Sequence, residues 1–169
     1  MLLGGLGWRM GGHFPDRPKF IIAVAPHSSN IDFVLTMGVI MSLGLRCSFL
    51  AKASLFRFPL GLLMRAFGGI PVDRSSKNGV VEQMSGHFQR AEQLILGITP
   101  EGTRSAVNRW RSGFALIAKE ADVPVQPAVV NYREKTITFS PLIEDVSDAE
   151  ATVKAVQSAA SLGSPRNTG

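Results

Sequence analysis

The sequence is poor in several residue types whose scarcity narrows its chemistry. Among 169 residues there is one cysteine, Cys47, so no disulfide can close within the chain, and a reducing compartment is expected. There is no Cys/His cluster with metal-ligand spacing. Nor is there an H-E-x-x-H, a P-loop lysine motif, a G-x-G-x-x-G or a serine elbow G-x-S-x-G. No apolar run approaches the roughly 18 residues of a membrane span. The first twelve residues interleave five glycines with Leu2, Leu3 and Leu6, without the basic flank and apolar core of a signal peptide. Tyrosine occurs once and the cations form no run, so nucleic acid is not an expected partner. Acids are also scarce, 13 against 18 Lys and Arg, which leaves a net charge of +5 and a pI near 9.9. That imbalance favours an anionic partner: a phosphorylated small molecule, an acidic carrier protein or anionic lipid.

What is present is a hydrophobic content of 45% with 18% charged residues, enough for a sizeable core in one domain, residues 1–169. Residues 19–25 form a nearly continuous β-prone run of the kind buried in a parallel sheet. Further strands are predicted at 46–51, 70–72, 94–98, 125–131 and 136–139. Helices are predicted at 32–45, 54–67 with Pro59 near its start, 79–92, 113–121 and 148–161. Strand and helix alternate, so the predicted fold is a three-layer α/β domain: a mostly parallel central sheet flanked by helices. Cys47 falls in a strand and reads as a buried thiol. The tail 163–169 has the composition of disorder.

Three polar loops follow short apolar strands, and ligands bind at the carboxyl ends of strands in such sheets. The first holds His27 and, five positions on, Asp32. Histidine suits proton transfer near neutral pH. Asp32 has two readings: it orients the imidazole, or it completes a capping box with Ser29 at the start of the next helix. The second opens with Asp73-Arg74, read either as an anion contact or as a surface ion pair. The third is Pro100-Glu101-Gly102-Thr103-Arg104-Ser105, followed by Arg109 and Arg111. Gly102 lets backbone approach a ligand, Thr103 can donate to an anion, and Arg104 offers a planar fork matched to phosphate. The alternative is an ordinary polar turn. His13 and His87 read as surface or structural residues. Together the loops suggest a base beside an arginine-lined anion site, with no metal.

These blocks, in this order, resemble the glycerolipid acyltransferase family, which includes the lysophosphatidic acid acyltransferases and PlsC-like enzymes of phospholipid biosynthesis. The H-x-x-x-x-D motif is matched by His27 and Asp32, and the Gly-x-Ile-x-x-Asp-Arg block is similar to residues 68–74. Pro-Glu-Gly-Thr-Arg-Ser stands intact at 100–105, and Val-Pro-x-x-Pro at 123–127. The motif-bearing core spans about 20–131. The resemblance implies acyl transfer from acyl-CoA or acyl-carrier protein, as co-substrate, to the hydroxyl of a lysophospholipid, with no cofactor. By it His27 and Asp32 are catalytic, and Arg74, Glu101, Gly102, Thr103 and Arg104 hold the acceptor's phosphate and glycerol. It also implies a cytoplasmic enzyme lying peripherally on the inner face of a membrane. A non-catalytic anionic-lipid-binding protein on the same fold, or acylation of a non-glycerolipid acceptor, are the alternatives.

Membrane contact then has two candidate surfaces. Residues 55–67 are apolar almost all round, with Arg57 and Arg65 to one side, as in either a buried core helix or a bilayer-facing one. Leu2, Leu3, Leu6 and Trp8 are the second candidate.

Overall fold

The computed structural model describes residues 2–3, 7–25, 46–73, 77–100 and 110–163, with the isolated positions 38 and 44. The strands are β1 (Leu2–Leu3), β2 (Trp8–Gly12), β3 (Lys19–Ala25), β4 (Cys47–Lys52), β5 (Gly69–Val72), β6 (Leu94–Ile98), β7 (Val125–Asn131) and β8 (Thr136–Phe139). The helices among the described residues are a 3-10 turn at Ala53–Phe56, α1 (Leu60–Ala66), α2 (Lys77–Arg90), α3 (Gly113–Ala121) and α4 (Ala149–Ala160). The helix predicted at 32–45 lies outside the described residues.

One sheet carries all eight strands in the order β1-β2-β8-β7-β3-β6-β4-β5. β7, β3, β6, β4 and β5 run parallel. β8 returns antiparallel to β7, β2 lies parallel to β8, and β1 turns back on β2. β3 takes the centre because Phe20, Ile21, Ile22, Ala23, Val24 and Ala25 are all apolar and all buried, so both of its faces find cover.

The side-chain alternation of β3 divides the core in two. Ile21 and Ala23 join Leu96, Val72 and Val125 on the face covered by α2, α3 and α4, which contribute Met84, Phe88, Phe114, Ile117 and Val156. Ile22 and Val24 join Phe20, Cys47, Ile95, Ala128, Val130, Ile137 and Phe139 on the opposite face, where Phe14 stacks edge-on against both Phe20 and Phe139. Right-handed crossovers explain the layering. The steps from β5 back to β6 and from β6 to β7 carry α2 and α3 over the first face, whereas the outward step from β4 to β5 carries the 3-10 turn and α1 past Phe49 on the second.

The helices are built by ordinary local rules. α3 buries Phe114, Ala115, Ile117 and Ala118 on one stripe and stops where Asp122 turns left-handed (φ 52°), with the Val123 N–H donating to the Ala118 carbonyl at 3.0 Å. α4 starts at Asp148, whose carboxylate accepts the Glu150 and Ala151 N–H groups at 2.8 and 3.2 Å. The Ala151 N–H first, and then the Glu150 N–H, hold the Asp148 carboxyl below its ordinary value.

Two expectations are corrected here. Trp8 is no membrane anchor: it is buried in β2 and meets Tyr132 edge-to-face with centroids 5.0 Å apart. The strand persists because β8 pairs with it from Arg9↔Thr136 to Gly12↔Phe139, a partner that local sequence does not announce. Gly12 can close this pairing because φ is +83° and any β-carbon would run into the Phe139 carbonyl. Residues 54–67 are likewise not one core helix. The cis Phe58–Pro59 junction separates the 3-10 turn from the short α1, and in α1 only Gly61 is buried.

Candidate functional site

The register of the sheet sets the geometry of the candidate site. β3 and β6 pair up to Ala23↔Ile98, β6 and β4 at Gly97↔Phe49, and β4 and β5 up to Lys52↔Val72. Counting forward from these pairs puts Ala25, Pro100, Lys52 and Val72 on one row across the sheet. β3, β4 and β5 end on this row and β6 stops two residues before it, at Ile98, all at the edge where such sheets bind ligands. His27 follows this row by two residues, Glu101 by one and Arg74 by two. His27, Asp32, Arg74, Glu101, Gly102, Thr103 and Arg104 themselves lie outside the described residues.

The spacing along the row is informative. Adjacent strands lie about 4.8 Å apart, so the segments leading to His27 and Glu101 leave neighbouring positions. The segment leading to Arg74 starts three strand spacings from β3, about 14 Å away. Such an edge suits an elongated ligand, with one end at the β3 and β6 ends and an anionic group further along.

The third loop is tied at its root. The Arg111 N–H donates to the Pro100 carbonyl at 3.1 Å, so the chain that leaves β6 at Pro100 returns to the same point before entering α3. Pro100 is buried, Trp110 packs against the α2/α3 side of the core, and Arg111 is exposed. Lys52, also exposed, ends β4 on the common row. Sequence reasoning noted Arg111 in passing and missed Lys52. Its signal was its position, a cation at the carboxyl end of a predicted strand between two motif-bearing neighbours. Among the described residues Lys52 and Arg111 bring two cations to this edge, against one acid, Asp73, just past Val72.

Cys47 sits at the opposite end of β4 and is not part of this edge. Burial pushes its thiol up to about 12, against a smaller lowering from the Gly97 backbone, so it is a packing residue and not a nucleophile. His13 is exposed, and His87, on α2, is partly so. Among the described residues no group of three or more His, Cys, Asp or Glu side chains is placed to hold a metal ion.

Comparison with known proteins agrees with this architecture. The crystal structure of a 1-acyl-sn-glycerophosphate (LPA) acyltransferase, PlsC, from Thermotoga maritima superposes with a TM-score of 0.61 at 18% identity, covering 91% of this chain and 70% of that one. No curated protein sequence matches the chain. The family model named Acyltransferase matches residues 13–131, from the segment before β3 to the end of β7, and so takes in all three loops. The chain belongs to the acyltransferase family.

Proposed function

We propose that this protein moves a fatty acyl group from acyl-CoA or acyl-carrier protein to the hydroxyl of a lysophospholipid such as 1-acylglycerol-3-phosphate. The observation that supports this reading is that the strands leading to His27 and to the Pro100–Ser105 block are paired neighbours whose ends lie within two residues of each other along the sheet. That pairing supports a reading in which a base and an anion-binding loop serve one ligand.

In this reading His27 removes the acceptor's hydroxyl proton as that oxygen attacks the thioester carbonyl. Asp32 accepts the other imidazole N–H and stabilises the charged ring. The tetrahedral intermediate collapses, the ester C–O bond stays, the C–S bond breaks, and the departing thiolate takes the proton from His27. No cofactor beyond the thioester and no metal is needed. Arg104, Thr103 and the Glu101–Gly102 backbone hold the acceptor's phosphate and glycerol. Arg74, further along the row, supplies a second cation. The enzyme works peripherally at a membrane, on the inner face, where its acceptor resides.

The test is thioester consumption with a panel of lysolipids. General-base catalysis is worth about 10²–10⁴-fold, so a folded His27→Ala protein should lose that much in kcat while Arg104→Ala mainly raises KM for phosphate-bearing acceptors. Undiminished turnover by His27→Ala would falsify the assignment of the base.

A further inference from the structure

We infer that the β4–β5 crossover, residues 55–67, is a docking surface for an anionic lipid bilayer. The proposal rests on the acyltransferase reading for its purpose, but the surface is read from the crossover itself. Of the eight large apolar side chains exposed among the described residues, six lie here: Leu55, Phe58, Leu60, Leu62, Leu63 and Phe67. Phe58 is 85% exposed, Leu62 67% and Leu63 52%, values that a merely peripheral core residue would not reach.

The backbone explains why these side chains turn outward. α1 backs onto the 3-10 turn through Gly61, where any β-carbon would strike the Phe56 backbone, and the Gly61 N–H donates to the Arg57 carbonyl at 2.7 Å. A glycine seam uses no large side chain, and the leucines on either side of it, Leu60 and Leu62, stay 44% and 67% exposed.

Charge decides which partner fits. From Phe33 to Val72 the sequence contains no aspartate or glutamate, while Arg46, Lys52, Arg57 and Arg65 all carry positive charge. Lys52, Arg57 and Arg65 are exposed, and the Arg65 guanidinium rests 5.4 Å from the Phe56 ring centroid. Apolar side chains flanked by arginines match a membrane whose interior takes the leucines and whose headgroups take the cations. A two-fold contact with a second copy is the poorer fit, because it would bring two Arg57 and two Arg65 together with no acid in the patch to pair them. The crossover also begins at Lys52, on the row from which the candidate site's loops depart, so docking would bring that edge close to the lipid interface.

The test uses the full chain with vesicles of phosphatidylcholine alone and with roughly one-third phosphatidylglycerol. Wild type should sediment with the anionic vesicles. Leu62→Asp and Leu63→Asp should each weaken that binding by about tenfold or more, while a cooperative melt is kept with Tm lowered by no more than about 5 °C. Arg57→Glu with Arg65→Glu should weaken it by about fivefold or more and flatten its salt dependence. In a Phe58→Trp protein, emission should shift to the blue and be quenched by lipids brominated in the acyl chain. Three results would overturn the proposal: absent binding by wild type, binding by Leu62→Asp equal to wild type, or unquenched Phe58→Trp. A lipid-free dimer that Leu62→Asp dissociates would also overturn it, since the patch would then belong to a second copy. Turnover of short-chain, monomeric thioester and lysolipid separates this proposal from the acyltransferase reading. Such turnover without patch-dependent binding sinks docking alone, and patch-dependent binding without turnover supports docking while removing the enzymatic reading.

Discussion

Two leucine-to-alanine substitutions of identical chemistry should differ several-fold in cost. Leu96, on the central strand β6, is fully buried beneath α2 and α3, whereas Leu62 on α1 keeps 67% of its surface in water. Truncating a buried leucine removes its transfer free energy and leaves a cavity, together about 3–5 kcal/mol. Complete burial of a leucine is worth about 1.5–3 kcal/mol, and Leu62 withdraws only a third of its surface, so its truncation should cost about 0.5–1 kcal/mol. Against a typical total of about 5–15 kcal/mol, the first change is severe and the second is small. In urea, with a slope of about 2 kcal/mol/M, Leu96→Ala should lower the midpoint by about 1.5–2.5 M and Leu62→Ala by about 0.5 M or less, both with an unchanged slope. The measurement is equilibrium unfolding in lipid-free buffer. A Leu62→Ala cost equal to that of Leu96→Ala would refute the reasoning, because α1 would then have a packing partner in the free protein.

Cys47 should resist modification: with its thiol near 12, only about one molecule in ten thousand carries thiolate at pH 8. Intact mass after iodoacetamide should show no adduct on native protein and one adduct in urea. For Asp148 the folded carboxyl titrates below its unfolded value, so its contribution to stability is present above about pH 3.9 and disappears as pH falls through the folded value. Asp148→Ala should lower Tm at pH 7. Asp148→Asn, which still caps, should stay near wild type there and lose less on acidification, as thermal melts at several pH values will show.

The parts of the fold legible in the sequence are those whose cause is local. α3, β7 and β8 are found at the predicted residues because each has a clean apolar period and a turn signal at both ends. β2 was not legible: Trp8–Gly12 ends in two glycines, and its existence depends on β8, more than a hundred residues away. Residues 55–67 illustrate a different limit. A continuous apolar stretch states that water is unwelcome, not which neighbour replaces it, and only the outward placement of Phe58, Leu62 and Leu63 distinguishes core from surface. For the candidate site, sequence order identified which strands lead into the motif blocks and predicted a shared edge. The near alignment of the ends of β3, β6, β4 and β5 comes from inter-strand pairing, which no single segment encodes.

The hydrogen bond from Arg111 to Pro100 bears on how substrate preference could diverge in this protein. Because Pro100 and Arg111 are already fastened together and Trp110 packs against the core, the sequence segment 101–109 is a cassette that could be exchanged while both of its anchors keep their places. Doubling the length of such a closed loop costs only about 0.6 kcal/mol in closure entropy, and neither β6 nor α3 need shift to receive a different one. New acceptor contacts can therefore be tried by exchanging the cassette, while the chemistry assigned to the β3 loop is left in place.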